Sequence, residues 1–350
     1  MNKIKVLVTG ATGFVGSHVL ETLMDHENLQ VIAACRNEKK LSRIVPGFKG
    51  EVRPGDLTDS DYIQALVKDI DIVCHAAAWT CLWAHRKESQ RYYRDPSKAL
   101  IDAAVESGVK RFIFDASVVV VKPHRDKTPI KDHEPSTHPR IWPHMDTVVD
   151  IEQHMRKQSG KGTAMVSLRF GHFVGKRYNL GFLSLMFPRL KTHLVPWVAG
   201  GKARVPLIDG RDIGHACYLA ATTEGLQGFE SFNICGPSFP TMREVVDFIH
   251  AETGAPRPHF GVPLKAAYAF GWLMEKINPL LPGDPFLTRG IVYLGEDWYA
   301  PSDYAKKRLG YEPSVDWKTA IRGQLLDMKN NEYAKISLVD HTQNSNFSNT

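Results

Sequence analysis

Residues 9–16 read TGATGFVG and set Gly10, Gly13 and Gly16 in the pattern G-x-x-G-x-x-G. Three glycines so spaced serve a phosphate. One allows a tight turn, one lets the backbone approach a pyrophosphate, and one lets the next helix pack closely. The flanking residues agree. Lys5–Thr9 (KVLVT) is an apolar strand-like run, and Val19, Leu20, Leu23 and Met24 recur at helical spacing. The glycines therefore occupy a strand-to-helix turn, where helix N–H groups and the positive dipole end face an anion. Gly10, Thr12, Gly13, Phe14, Val15 and Gly16 are expected around a dinucleotide pyrophosphate.

The second strand-like run, Val31–Ala34, bears on which dinucleotide. A carboxylate at its end would bind a ribose 2′-hydroxyl. The residues there are AACRN, 33–37, with Arg36 in place and Lys39 and Lys40 close behind. A guanidinium with ammonium groups suits a 2′-phosphate. NADP(H) is favoured over NAD(H), with Arg36 and Lys40 beside that phosphate.

Other elements must position these groups. Glu51–Arg53, Asp71–His75, Arg111–Phe114 and Ala164–Phe170 read as strands, and Asp61–Val67, Leu100–Val105 and Thr147–Lys157 as helices. Such alternation predicts βαβ units and a parallel sheet. LIDG near Leu207 and FNIC near Phe232 are expected to return to that sheet. Pro96 is expected in the first turn of a helix, where proline is tolerated. Residues 122–143 carry five prolines and no periodicity. An irregular stretch that long is functional or disordered. The fold class is α/β: a doubly wound parallel sheet (Rossmann) with a smaller, mainly helical C-terminal substrate domain. The expected division is 1–175 with return segments near 204–236, then 176–203 and 237–330 for substrate, and a flexible tail at 331–350.

Composition excludes several classes. A chain of 350 residues holds one large domain or two tightly joined ones. With 43% hydrophobic and 23% charged residues it is neither disordered nor fibrous. Lys+Arg exceed Asp+Glu by 44 − 38 = 6 without a dense basic block, so no nucleic-acid partner is expected. Apolar runs fall short of the ~18 residues of a membrane span. MNKIKVLVTG enters a strand directly, so a cytoplasmic location is expected. The five cysteines form no C-x-x-C, and His133, His138, His144, His154 and His172 lack metal-ligand spacing, so no metal site is expected. Phe182, Leu185, Met186 and Phe187, with Tyr268, Phe270, Trp272 and Leu273, read as core. A greasy pocket or a membrane-touching face is the alternative.

From these segments the chain resembles the extended short-chain dehydrogenase/reductase family, of the NAD-dependent epimerase/dehydratase type. TGATGFVG is similar to its TGxxGxxG. GDL at 55–57 resembles its third-strand signature, which implies Asp56 and Leu57 near the adenine. HAAA at 75–78 resembles the segment lining the cofactor, implying Ala76, Ala77 and Ala78. VKRFIFDAS at 109–117 resembles the strand that ends on the active-site hydroxyl, here Ser117. SLRFGHFVG at 167–175 resembles the strand before the substrate domain, implying Phe170 and His172 on the nicotinamide side. PLIDGRDIGHA, FNICGP and PSDYAKKRLGYEP resemble later family segments. Arg36 and the helix PLKAAYAFGWLMEKI are similar to the 3β-hydroxysteroid dehydrogenase and dihydroflavonol reductase branches.

One departure is decisive for chemistry. The family's reaction uses Tyr-x-x-x-Lys, in which tyrosine passes a proton and lysine lowers the tyrosine's pKa from about 10. The matching segment here is PHMDTVVDIEQ, 143–153, with His144 at the tyrosine position and Val148 at the lysine position. None of the eleven tyrosines has a lysine four residues later. His144 is expected to handle the proton, since imidazole titrates near 6.5 without a lysine's help, with Ser117 on the substrate oxygen. Tyr178, Asp115 or His172 could serve instead. The resemblance implies an oxidoreductase acting on a hydroxyl or carbonyl of a small, apolar substrate. A non-catalytic nucleotide-binding protein and a non-redox isomerase or lyase are the alternatives. Trp79 and Trp83 follow HAAA and could line the substrate side. A homodimer is compatible with the helix after His144, through Val148, Val149 and Ile151.

Overall fold

Seven short apolar runs become one parallel sheet. The computed structural model describes residues 3–178, 182–280 and 283–330. The tail expected at 331–350 and the side chain of Phe182 lie outside them. The strands are β1 (Ile4–Thr9), β2 (Leu29–Cys35), β3 (Glu51–Pro54), β4 (Ile72–His75), β5 (Arg111–Ser117), β6 (Ala164–Phe170) and β7 (Phe229–Ile234). In space they run β7-β6-β5-β4-β1-β2-β3. The order reverses at β1, so a crevice opens at the carboxyl ends beside it.

Register puts the functional segments along one edge. Thr9 lies opposite Ala34 and His75, and Ser117 opposite Phe170. β1, β4 and β6 are almost wholly buried, as strands covered on both faces must be. One face packs on the helices Phe14–Met24 and Gly210–Thr222, through Val19, Leu20, Ile213 and Cys217. The other packs on Asp95–Glu106 and Pro143–Gln158, through Leu100, Ile101, Val149 and Ile151.

Three expectations change here. Leu207–Asp209 does not rejoin the main sheet, but pairs with His172–Val174 in a separate two-stranded sheet. A three-residue apolar run does not specify its partner. Val148, Val149 and Ile151 are buried in the chain's own core and offer no surface for a second copy. Phe270, Trp272 and Leu273 are exposed, not core.

The mainly helical C-terminal part has its own apolar cluster, including Leu183, Trp197, Val245, Ile249 and Ile321. Helix Met242–Thr253 begins with a capping box from Thr241 and Glu244 and ends on Gly254 in the left-handed region. Pro96 does lie in the first turn of Asp95–Glu106, but the chain is helical before it as well. Gln90–Arg94 forms a π turn that joins Arg86–Ser89 to that helix. A π turn absorbs the hydrogen bond that proline cannot donate.

The stretch 122–143 is irregular yet pinned. Arg169 on β6 is fully buried and donates to the carbonyls of Asp132 (3.0 Å) and Glu134 (2.8 Å). It also pairs with buried Glu152 at 2.5 and 3.0 Å, and Ser167 donates to the same carboxylate at 2.9 Å. From β7, Asn233 donates its backbone N–H to Asp132 (2.6 Å) and its side-chain amide to the carbonyl of Ile130 (2.9 Å).

Candidate active site

The glycine loop is shaped by contact. Gly10 has φ +63°, and a Cβ there would come within 2.6 Å of the backbone of Ala76 and Ala77. A Cβ at Gly16 would meet the Gly10 carbonyl at 2.3 Å, which seats the helix start on the turn. At Gly13 the same carbonyl is 3.2 Å away and nothing else is near, so that side of the loop is open to a ligand. Gly13 caps helix Phe14–Met24 without a side chain, leaving the first-turn N–H groups for an anion. The Phe14 ring turns inward onto Tyr178, with centroids 4.6 Å apart. Phe14 and Val15 therefore serve the loop by backbone and packing.

A polar tie missed in the sequence sets the loop against β4. Buried His75 has Nδ1 2.8 Å from Thr9 Oγ1 and Nε2 2.9 Å from Ser97 Oγ. Burial pushes its pKa down to about 3. A histidine directly before three alanines was the available signal.

At the end of β2, Arg36 is exposed, and its guanidinium has no hydrogen bond or ion pair among the described residues. Lys40 lies one helical turn on, where its backbone N–H donates to the Asn37 cap at 2.9 Å. Beyond β3, Asp56 is exposed and accepts from the N–H and hydroxyl of Thr58, both at 2.8 Å and both on Oδ1. Leu57 packs beside it onto the core. Ala76, Ala77 and Ala78 line the same edge, the first two half-buried and the third exposed. Phe170 is fully buried. His172 is also buried, with Nε2 3.1 Å from the Leu294 carbonyl and its pKa lowered to about 4 by burial.

Ser117 closes β5 and accepts from the Val119 N–H at 3.3 Å. This caps the 3-10 turn Val118–Val120 and leaves the hydroxyl proton to donate elsewhere. His144 stands in the first turn of Pro143–Gln158. Its ring stacks on Tyr93 (5.6 Å, 17°) and lies 6.0 Å from Trp142. Tyr93 comes from the π turn. Burial pushes the His144 pKa down to about 4, against a smaller upward pull from the Trp79 backbone. The imidazole is therefore neutral at pH 7, and its Nδ1 has no partner among the described residues. Asp115 shares the strand face of Ser117 two residues earlier. Its Oδ2 has no partner among the described residues, and burial raises the carboxyl well above the usual range. Tyr178 is packed on Phe14 and Phe173, and burial raises its hydroxyl strongly. Val148, at the lysine position, is sealed in the core.

The irregular stretch, with Tyr268 of helix Leu264–Ile277, borders an open cavity of about 920 Å³. Its walls include Lys122, Arg125, Ile141, Tyr268, Tyr293 and Glu296. Buried Glu296 accepts from the Tyr268 hydroxyl (2.5 Å) and from Arg125 (3.2 and 3.3 Å).

A model of the NAD dependent epimerase/dehydratase family matches residues 6–235, glycine loop through β7. The chain belongs to that family. A 2-alkyl-3-oxoalkanoate reductase of Stenotrophomonas maltophilia is 26% identical over 333 residues, covering 91% of this chain and 98% of that protein. A 3 beta-hydroxysteroid dehydrogenase/Delta 5-->4-isomerase of Mycobacterium tuberculosis is 26% identical over 348 residues, covering 91% and 88%. Among solved structures, a UDP-glucuronic acid 4-epimerase from Bacillus cereus in complex with NAD superposes with TM-score 0.72 at 18% identity, over 93% of this chain and 99% of that one. That likeness establishes the fold alone.

Acid should unfold this family member early. Burial lowers His18, His144 and His172 to about 4 and His75 to about 3, against 6.5 when unfolded. The unfolded chain thus binds more protons between those values and 6.5, so stability is full above 6.5 and falls as pH drops. Each histidine contributes about 1.4 kcal/mol per pH unit. Asp115 and Asp132, raised by burial, act in the opposite sense but are fewer. Urea midpoints measured from pH 7.5 to 5 should decline; a flat series would refute the assignment.

Proposed function

We propose that this protein is an NADP(H)-dependent oxidoreductase acting on a hydroxyl or carbonyl of a small molecule with an apolar body, with His144 and Ser117 handling the proton. The observation that carries it is the carboxyl edge of the sheet. A glycine turn whose Gly10 and Gly16 admit no Cβ, an Arg36 guanidinium without a partner among the described residues, and Ser117, whose hydroxyl accepts from Val119 and can still donate, lie at this edge. The fit to a dinucleotide phosphate is good: Gly13 leaves open space and the helix start leaves donors. Gly10, Thr12 and Gly16 would hold the pyrophosphate, Arg36 and Lys40 the 2′-phosphate, and Asp56 and Leu57 the adenine. Ala76, Ala77, Ala78, Phe170 and His172 would border the remainder, His172 and Phe170 from behind.

NADP(H), when bound, supplies or takes a hydride. The chain's own groups do the rest. Ser117 donates its hydroxyl proton to the substrate oxygen and orients it. His144, neutral at pH 7, accepts the proton a hydroxyl must lose, through Nδ1. Tyr93 and Trp142 fix the ring plane. Oxidation of an alcohol is the direction such a base serves best at neutral pH. The apolar substrate body is supported by the curated relatives, a 2-alkyl-3-oxoalkanoate reductase and a 3 beta-hydroxysteroid dehydrogenase.

The deciding experiment is titration with NADPH and NADH, read by tryptophan-to-nicotinamide energy transfer, then a panel of secondary alcohols and ketones. NADPH is expected to bind more tightly, and Arg36→Asp to reverse the preference. Each charge-assisted contact to the phosphate contributes about 1.5–3 kcal/mol, or roughly 10- to 150-fold. Unchanged preference in Arg36→Asp would refute the 2′-phosphate role. A second reading, nucleotide binding without redox chemistry, rests on Val148, whose place in the core leaves no ammonium at the lysine position. It predicts binding of NADPH with no turnover across the panel.

A further inference from the structure

We propose that helix Leu264–Ile277 docks this protein on an anionic lipid bilayer, lying flat in the interface. Four of the ten large hydrophobics exposed among the described residues lie on this helix or just beyond it: Phe270, Trp272, Leu273 and Leu280. Single exposed apolar residues are ordinary, but a contiguous set marks a contact surface. On this helix Phe270, Trp272 and Leu273 are 46–49% exposed, and Leu280 just beyond it is 86% exposed. Between Lys265 and Lys276 every exposed residue is apolar: Ala266, Ala269, Phe270, Trp272 and Leu273. A helix facing water carries charge on that side. The one carboxylate of the helix, Glu275, is turned away and accepts from the Arg289 N–H (2.7 Å) and Nε (2.8 Å).

Charge selects the occupant. The exposed stripe ends in a lysine at each end and has no carboxylate. A second copy, paired parallel or antiparallel on this face, would set lysine against lysine. Anionic headgroups receive both, while the alkyl stems lie along the apolar layer. Trp272 suits the boundary between headgroup and chain. No described helix is long and apolar enough to cross a membrane, so the contact is peripheral. Tyr268, one turn before Trp272 on the flank of the same stripe, lines the cavity described above. A bilayer docked on Trp272 thus lies one helical turn, ~5 Å, from the Tyr268 wall of that cavity. A substrate partitioned in lipid would enter there, a corollary that rests on the function proposed above.

The test is sedimentation of the full chain with vesicles of phosphatidylcholine, or of phosphatidylcholine mixed equally with phosphatidylglycerol. Binding to the mixed vesicles is expected, weakened by salt. Phe270→Ser/Trp272→Ser/Leu273→Ser should weaken it more than ~10-fold. Lys265→Gln/Lys276→Gln should remove the preference for anionic lipid. If the triple variant misfolds, quenching by brominated lipid gives the same reading, and Trp272→Phe should abolish most of it. A chain that ignores the mixed vesicles overturns the proposal, whether it is then monomeric or a dimer that the triple variant dissociates. Quenching unchanged in Trp272→Phe overturns it as well. Vesicle binding needs no turnover, so failure of the redox reading is scored separately by NADPH titration.

Discussion

His144→Ala should lower turnover ~10²–10⁴-fold while NADPH binding is retained, the span expected for loss of a general base or acid. The argument is positional and chemical. His144 occupies the first turn of the helix that follows the irregular stretch, and its Nδ1 is a buried acceptor with no partner among the described residues. A nitrogen left open in an aromatic clamp costs stability unless something uses it. Asp115→Asn is the companion. Burial raises that carboxyl well above the usual range and so favours its protonated form, and an amide of the same shape should leave stability unchanged or raise it and leave turnover intact. If His144→Ala is as active as the parent and Asp115→Asn is dead, the proton passes through Asp115. Steady-state rates with a fluorescence check on NADPH binding separate the cases.

Arg169→Leu should destabilise the fold by about 3–5 kcal/mol, because it strands the Glu152 carboxylate in a dry interior. Both side chains are fully buried, and the carboxylate would keep only the Ser167 donor and, at 3.8 Å, the side chain of Arg156. Replacing both members with apolar residues should recover part of the loss, since a well-packed pair is often neutral. Recovery should be incomplete, because Arg169 also satisfies the carbonyls of Asp132 and Glu134. Urea unfolding decides it: the midpoint falls with an unchanged slope if the native state alone is affected. A shift below 1 kcal/mol would show that water or a neighbour relieves the carboxylate.

Legibility in the sequence followed the range of the interactions. The glycine turn, the strands around it, Arg36 and Asp56 are specified within a few residues by backbone geometry and end-of-strand position, and they could be read directly. His144 and Val148 were equally plain as departures from the pattern that the resemblance implies. Partners far apart in sequence were not. The clamp on His144 uses Tyr93, 51 residues earlier, held by a π turn that no periodicity announces. The bracing of the irregular stretch spans 35 to 103 residues, so its prolines left function and disorder both open where buried polar groups impose order. Helix Leu264–Ile277 misled for another reason: apolar residues on both its faces give no sign of which one meets the protein.

The bracing of residues 130–134 has a dynamic consequence. The carbonyls of Ile130, Asp132 and Glu134 and the Asp132 carboxylate accept from β6 and β7, and the Ile130 N–H donates to the Tyr299 carbonyl, so this segment cannot swing aside while the sheet stays closed. The Ile130 amide should exchange slowly with deuterium, and a protease should pass over the segment despite the lack of regular structure. The segment thus behaves as part of the scaffold rather than as a gate.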